Sequence, residues 1–160
     1  NTVEEYLSYQ PEPYELLIDS QTVKEKAFLV ACGNASQYGN NAFIAPHANI
    51  QDGKMDITIL SPFGPLDIAP LAIQLFTKQI DRNSKIKTFK GKEVTIIRQN
   101  PGVMHLDGEP IMADSRIEIS VLPKSLNVLT PETVSFTEEV QNLFGEVTRF
   151  FDKKLPYIFR

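Results

Sequence analysis

The chain has 160 residues, 42% of them hydrophobic and 22% charged, with a formal net charge of −4. That length suits one well-buried domain, and the mild acidity offers no electrostatic case for nucleic acid as a partner. No apolar run approaches bilayer length and no charged-then-apolar signal segment opens the chain. A single cysteine, Cys32, excludes an intrachain disulfide, and with only His47 and His105 beside it a structural zinc site is not expected. A reducing compartment is the simplest reading.

The chain opens Asn1-Thr2-Val3-Glu4-Glu5-Tyr6, without methionine and in helix-compatible sequence. This reads as a fragment of something longer, although tag removal or processing would look the same. After Pro11 and Pro13, residues 14–19 and 23–32 are rich in β-branched and apolar residues and read as a hairpin around a polar turn. Residues 33–41, Gly-Asn-Ala-Ser-Gln-Tyr-Gly-Asn-Asn, form a loop by composition. A strand over 54–60 follows.

Between residues 66 and 80 the spacing of Leu71, Leu75 and Phe76, with Pro70 suited to a first turn, predicts a helix. Strands resume over 85–89, 93–98, 103–106, 110–113, 117–122 and 126–129, with Gly91 and Asp107-Gly108 marking turns. Ser135-Phe136-Thr137-Glu138 resembles a capping box ahead of Val140, Leu143, Phe144, Val147 and Phe151, so a C-terminal helix to about Lys154 is expected. The chain is expected to be mainly β: a two-layer antiparallel β-sandwich with one inserted helix and a C-terminal helix, in a single domain over 1–160.

Two acidic turns carry the most chemistry. Asp52 lies in Gln51-Asp52-Gly53, between Ile50 and a strand. A carboxylate there, with backbone carbonyls nearby, could supply oxygen ligands to Mg²⁺ or Ca²⁺; the plainer alternative is a hairpin Asp bonding its own backbone. Glu109 follows Leu106-Asp107-Gly108. A Glu beside a rigid turn could act as the acid or base that phosphoryl transfer to an alcohol needs; the alternative is a solvated hairpin Glu. Asp107 is read as shaping the turn.

Asn34, Tyr38, Gly39, Asn40 and Asn41 could line a polar ligand surface through amides and exposed backbone, or form a plain connecting loop. His47 and His105 are read as surface or hydrogen-bonded core residues. Lys85, Lys87, Lys90 and Lys92 concentrate in one hairpin, read as edge-strand protection rather than a surface for anionic headgroups. Neither a Walker-type phosphate loop nor a dinucleotide fingerprint occurs.

Taken in order, Ala31-Cys32-Gly33-Asn34, Tyr38-Gly39-Asn40-Asn41, Ile44-Ala45-Pro46-His47-Ala48 and Gln51-Asp52-Gly53-Lys54-Met55-Asp56 form a pattern. It continues with His105-Leu106-Asp107-Gly108-Glu109-Pro110, Leu122-Pro123 and Leu126-Asn127-Val128-Leu129. This pattern resembles the C-terminal domain of the diacylglycerol kinase catalytic family, which includes bacterial lipid kinases and sphingosine kinases.

The resemblance implies a two-domain enzyme using ATP and Mg²⁺. Its N-terminal α/β domain would carry a Gly-Gly-Asp-Gly-Thr nucleotide motif, which is absent from these residues, and its C-terminal β-sandwich would close the cleft. The expected activity is phosphorylation of a hydroxyl of diacylglycerol, a sphingoid base or a related lipid, in phospholipid metabolism. This piece is expected to be inactive alone. Implied partners are the lipid substrate and the N-terminal domain, with a cytoplasmic location and peripheral membrane contact. Two rivals stay open: a kinase of a soluble alcohol or nucleotide in the same superfamily, and a non-catalytic binding or regulatory module.

On the same resemblance Glu109 matches the glutamate proposed as base toward the lipid hydroxyl. Asp52 matches a Mg²⁺-ligating aspartate whose flanking carbonyl ligands correspond to Asn49 and Lys54, the ion being structural. Asn34, Tyr38, Gly39, Asp107 and Gly108 fall along the substrate or nucleotide cleft. The sequence departs from the family where a Gly-rich stretch is Gly39-Asn40-Asn41, and where a frequent double aspartate is Gln51-Asp52, which removes one negative charge.

Overall fold

A computed structural model describes residues 10–39 and 41–129. The chain divides into a compact unit ending at Ser125 and a second beginning at Leu126, and every element below belongs to the first.

Nine strands form three antiparallel sheets among the described residues. The strands are β1 (Glu12–Ile18), β2 (Gln21–Ala27), β3 (Leu29–Gly33), β4 (Met55–Leu60), β5 (Ile86–Gly91), β6 (Glu93–Arg98), β7 (Gly102–Leu106), β8 (Glu109–Ala113) and β9 (Arg116–Ser120). One sheet has the order β2-β1-β6-β9, a second β3-β4-β5, and β7 pairs only with β8.

Period-two alternation builds the core. In β1 the register sets Leu16 between Val23 of β2 and Ile96 of β6, and Ile18 opposite Val94. These side chains share one face of the larger sheet and are buried. In the smaller sheet Ile57 and Ile59 of β4 stand beside Cys32 and Val30 of β3 and face the same core. The two inner faces thus pack on each other as a sandwich, and burying a side chain such as Leu16 or Ile57 contributes about 1.5–3 kcal/mol. Cys32 packs into this core, and burial pushes its thiol up to about 12, so it carries no thiolate chemistry at neutral pH.

The stretch expected as one strand over 23–32 is two strands in different sheets. The chain breaks at Phe28, whose N–H donates to the Leu60 carbonyl at 2.7 Å while its ring meets Phe63 edge-on. This break lets β2 pair with β1, and β3 cross to pair with β4.

The opposite face of the smaller sheet is roofed by residues 34–39 and 41–54 and by α1 (Ile68–Phe76), which a 3₁₀ turn at Pro65–Asp67 precedes and another at Ile80–Arg82 follows. The helix is shorter than the 66–80 span expected. Thr77 donates through its hydroxyl to the Ile73 carbonyl, and Lys78 adopts φ 59°, the left-handed conformation that stops helices. Leu71, Ile80 and Ile86 form a second buried cluster with Leu60, Phe63 and Leu75. The roof is pinned where Thr58 of β4 donates to the Ile44 carbonyl at 2.9 Å and the Phe43 N–H donates to Leu75.

Residues 126–129 are not a strand. Beyond Lys124, in a left-handed turn with φ 57°, Leu126, Val128 and Leu129 are exposed. An apolar run becomes a strand only when a partner edge receives its backbone. The expected C-terminal helix over 135–154 lies outside the described residues. No helix among the described residues is long and apolar enough to cross a membrane.

Candidate functional site

Two neighbourhoods gather the predicted site residues. The first is the β7–β8 hairpin. Its turn, Asp107-Gly108, has φ of 49° and 93°, and positive φ at both central positions is the two-residue hairpin turn that Asp-Gly favours. Glu109 opens β8 opposite Leu106, and its carboxylate is exposed. The turn thus fixes the backbone on which this carboxylate stands, and Asp107 shapes that turn.

The far end of the hairpin is held by Arg98 of β6. Its Nη2 donates to the carbonyls of Gly102 and Ala113, both at 2.7 Å, and its Nε donates to the Asp114 carbonyl at 3.3 Å. Gly102 and Ala113 are opposite residues in the β7–β8 register. One planar guanidinium therefore clamps both strands at their base. A Cβ on Gly102 would meet the Arg98 guanidinium at 3.4 Å, an ordinary van der Waals contact.

An apolar cavity of about 320 Å³ lies between the outer face of the smaller sheet and its roof. Leu29 and Ala31 supply its floor, Leu71 and Leu75 its helical wall, and Ile44 and Tyr38 its loop wall. The floor follows from alternation: Val30 and Cys32 face the sandwich core, so Leu29 and Ala31 face out. Tyr38 does two things, since its ring lines the cavity and its hydroxyl lies 3.5 Å from Nδ1 of His105 on β7. The cavity wall and the Glu109 hairpin are joined at this contact. A second groove, along Tyr14, Lys24 and Arg98, is open to solvent, has Glu15 and Lys24 paired on its wall, and holds none of the predicted site residues.

Asn34 and Gly39 are exposed on the roof loop, and Gly39 has φ 74°. The polar ligand surface expected there is only partly what the loop offers: at Tyr38 it presents a ring to an apolar cavity.

The second neighbourhood surrounds Asp52. The Asn49 carbonyl accepts the Asp52 N–H at 3.3 Å, and Asp52 Oδ1 accepts the Lys54 N–H at 2.9 Å. The three residues expected around an ion therefore share one turn, with the carboxylate bonding its own backbone. The other oxygen, Oδ2, accepts from Lys90 Nζ at 3.2 Å. That ammonium also lies 3.3 Å from Asp56 Oδ2 and donates to the His47 carbonyl at 3.1 Å. The Lys54 N–H bond holds the Asp52 carboxyl below its ordinary range; partial burial opposes this, and Lys90 reinforces it. For Lys90, burial acts downward, but the bonds and charges of Asp52 and Asp56 outweigh it and raise its pKa.

This arrangement does not fit a divalent ion at Asp52. Mg²⁺ requires oxygens at about 2.0–2.1 Å, so an ion on that carboxylate would sit within about 5 Å of the ammonium and be repelled by it. Among the described residues no group of three or more His, Cys, Asp or Glu side chains is placed to hold a metal.

Arg98 was not singled out in the sequence, and neither Asp56 nor Lys90 was assigned to the Asp52 turn. Lys90 looked like one of four edge-strand lysines, yet Lys85, Lys87 and Lys90 are paired with Asp67, Glu25 and the Asp52–Asp56 pair respectively. Alternation could have placed Asp56 and Lys90 on the outer face, but their pairing depends on register. Of the two states expected for His47 and His105 the surface one holds, and each also has a partner there, Asp81 for His47 and Tyr38 for His105.

Comparison with known proteins agrees with this architecture. Residues 1–130 match the family described as the YegS C-terminal NAD kinase beta sandwich-like domain. A Shewanella frigidimarina (strain NCIMB 400) protein named "Probable lipid kinase YegS-like" is 28% identical over 125 residues, covering 78% of this chain and 40% of that protein. A Mycobacterium tuberculosis (strain ATCC 25618 / H37Rv) protein named diacylglycerol kinase is 28% identical over 127 residues, covering 76% and 39%. The chain thus spans about two fifths of the length of these curated relatives.

The crystal structure of a diacylglycerol kinase from Bacillus anthracis str. Sterne has a TM-score of 0.51 at 20% identity, covering 78% of this chain and 48% of that one. A second solved structure from that organism has a TM-score of 0.59 at 20% identity, covering 76% and 41%. At such identity the likeness concerns the fold. The match over residues 1–130, on a chain folded as an antiparallel sandwich with one inserted helix, places it in the family of YegS C-terminal NAD kinase beta sandwich-like domains.

Proposed function

We propose that this chain is the substrate-side domain of an ATP-dependent lipid kinase, which transfers a phosphoryl group to a hydroxyl of diacylglycerol, a sphingoid base or a related lipid. The observation that carries this reading is the apolar cavity joined through Tyr38 and His105 to the hairpin bearing Glu109. A wall of carbon side chains favours an acyl chain over a soluble alcohol or nucleotide, whose polar groups would be left unpaired there.

In this reading an N-terminal nucleotide-binding domain presents ATP with its Mg²⁺, which supplies the phosphoryl group. Glu109 accepts the proton of the lipid hydroxyl as the new oxygen–phosphorus bond forms. The rigid Asp107-Gly108 turn sets where the carboxylate stands, and the Arg98 clamp limits how the hairpin tilts. Substrate in a membrane implies that the protein works peripherally at its cytoplasmic face.

The test is labelled-phosphate transfer by the full-length protein to a panel of lipid and soluble alcohols. Glu109→Gln should lower kcat by roughly 10²–10⁴-fold with circular dichroism unchanged. Near wild-type turnover in that variant removes Glu109 from the mechanism. Preference for a soluble alcohol, or no transfer to any acceptor, overturns the lipid assignment.

A further inference from the structure

We propose that Lys90 is the resident cation of the Asp52 turn, so that the ammonium of this side chain, rather than a divalent ion, ties residues 47–52 to the sheet. The proposal does not depend on which alcohol the protein phosphorylates.

Three oxygens from three parts of the chain meet this ammonium: Asp52 Oδ2 from the turn, Asp56 Oδ2 from β4 and the His47 carbonyl from the roof loop. The ammonium, a donor with no acceptor, gives hydrogen bonds to two of these oxygens and meets Asp56 Oδ2 as an ion pair. Gathering oxygens from separate segments is also what a structural cation would do here.

The placement of Lys90 is built into the sheet. Asp56 and Lys90 are direct partners in the β4–β5 register, so the ladder itself carries the ammonium to the carboxylate. Asp56 is 8% exposed. Its Oδ2 has no well-aligned hydrogen bond, which leaves the Lys90 ion pair to compensate a buried negative charge. With Asp52 and Asp56 both ionised, Lys90 reduces the cluster to a single negative charge. A divalent ion added to it would make the cluster positive.

The sequence is consistent with this exchange. Gln51 stands before Asp52, so the turn offers one carboxylate where two would better attract a divalent ion. The Asp52 carboxylate also spends Oδ1 on the Lys54 N–H.

The test uses the full-length protein without nucleotide. Thermal unfolding in EDTA and in millimolar Mg²⁺ should coincide, because a metal that binds the native state raises Tm with the logarithm of its concentration above Kd. Mn²⁺ titration followed by electron paramagnetic resonance should reveal no site that Asp52→Asn removes. Lys90→Met should lower Tm by several degrees and increase amide exchange over residues 44–52, while Lys90→Arg, which keeps the charge, retains most of both. A stoichiometric Mn²⁺ site lost in Asp52→Asn overturns the proposal. So does a Lys90→Met protein as stable and as protected as wild type. If Lys90→Met does not fold, the Mn²⁺ titration of the wild type and the behaviour of Lys90→Arg still decide it.

Discussion

The Tyr38 hydroxyl lies 3.5 Å from Nδ1 of His105. The two residues are 67 positions apart in sequence, one on the roof loop and the other on β7. Their contact brings the wall of an apolar cavity to the strand that leads into Asp107-Gly108-Glu109.

Filling the cavity should therefore separate substrate binding from nucleotide binding. Ala31 is half-buried on the cavity floor and faces away from the sandwich core. Ala31→Phe should raise KM for the lipid by about 10-fold or more, as loss of the volume for a few methylenes would, and leave KM for ATP within about twofold. Steady-state kinetics on both substrates checks this. An unchanged lipid KM would place the acyl chain elsewhere.

Arg98 holds the hairpin by carbonyls alone, so its removal should loosen the hairpin and spare the sandwich. Arg98→Ala should increase amide exchange over residues 102–113 by at least about 10-fold, with little change in β1 and β4, since each lost charge-assisted bond contributes about 1.5–3 kcal/mol. The partial exposure of these bonds puts the effect at the lower end. Turnover should fall with the loosened hairpin, and Arg98→Lys should rescue it poorly because one ammonium cannot reproduce the planar fork.

At Gly91 the backbone of β5 lies against Ile18 of the larger sheet. A Cβ there would come within 2.5 Å of Ile18 Cγ2, and Ile18 is a buried core residue. Gly91→Ala should destabilise by about 1–3 kcal/mol through overpacking, seen as a lower midpoint in urea unfolding. A midpoint equal to wild type would mean that Ile18 can move aside without loss.

Acid should weaken the fold through two exposed carboxylates. Asp19 accepts the N–H groups of Glu93 and Lys92 through Oδ1, both at 2.9 Å, and these bonds hold its pKa below the ordinary 3.8; Asp52 is lowered by Lys54 and Lys90. A depressed folded pKa means stability that is present above the ordinary carboxylate range and lost as pH falls through the folded values. Lys90 works in the opposite sense: its raised pKa means stability present below 10.5 and lost as pH rises beyond it. Tm should hold between neutral pH and about pH 5, then fall steadily below it. Asp19→Asn should flatten that acid slope, as measured by thermal unfolding from pH 7 to 3.

Much of the fold was legible because it is written in local chemistry. Alternation in Leu16, Ile18, Val94 and Ile96 marks strands with one buried face, and Asp107-Gly108 marks a turn that needs positive φ. The Leu71–Leu75 spacing marks a helix, and the ordered motifs around Asp52 and Glu109 led to the family. Each of these signals involves neighbours in sequence, so residue types alone can carry it.

What the tertiary structure decided depends on which distant segments meet. Nothing local says that the chain changes sheets at Phe28, because the two strands follow each other without a turn signal and only the choice of partner separates them. The run at 126–129 has strand-like residues but gains no ladder among the described residues. Lys90 looks like its neighbouring lysines until register sets it opposite Asp56 and loop closure brings Asp52 and His47 to it. The cavity likewise belongs to no segment, since its floor, helical wall and loop wall are brought together only when the roof folds over β3-β4-β5. The sequence by itself determined the strands, the turns and the carboxylates. Long-range packing decided which cation faces Asp52 and which loop residue reaches His105 on the hairpin that carries Glu109.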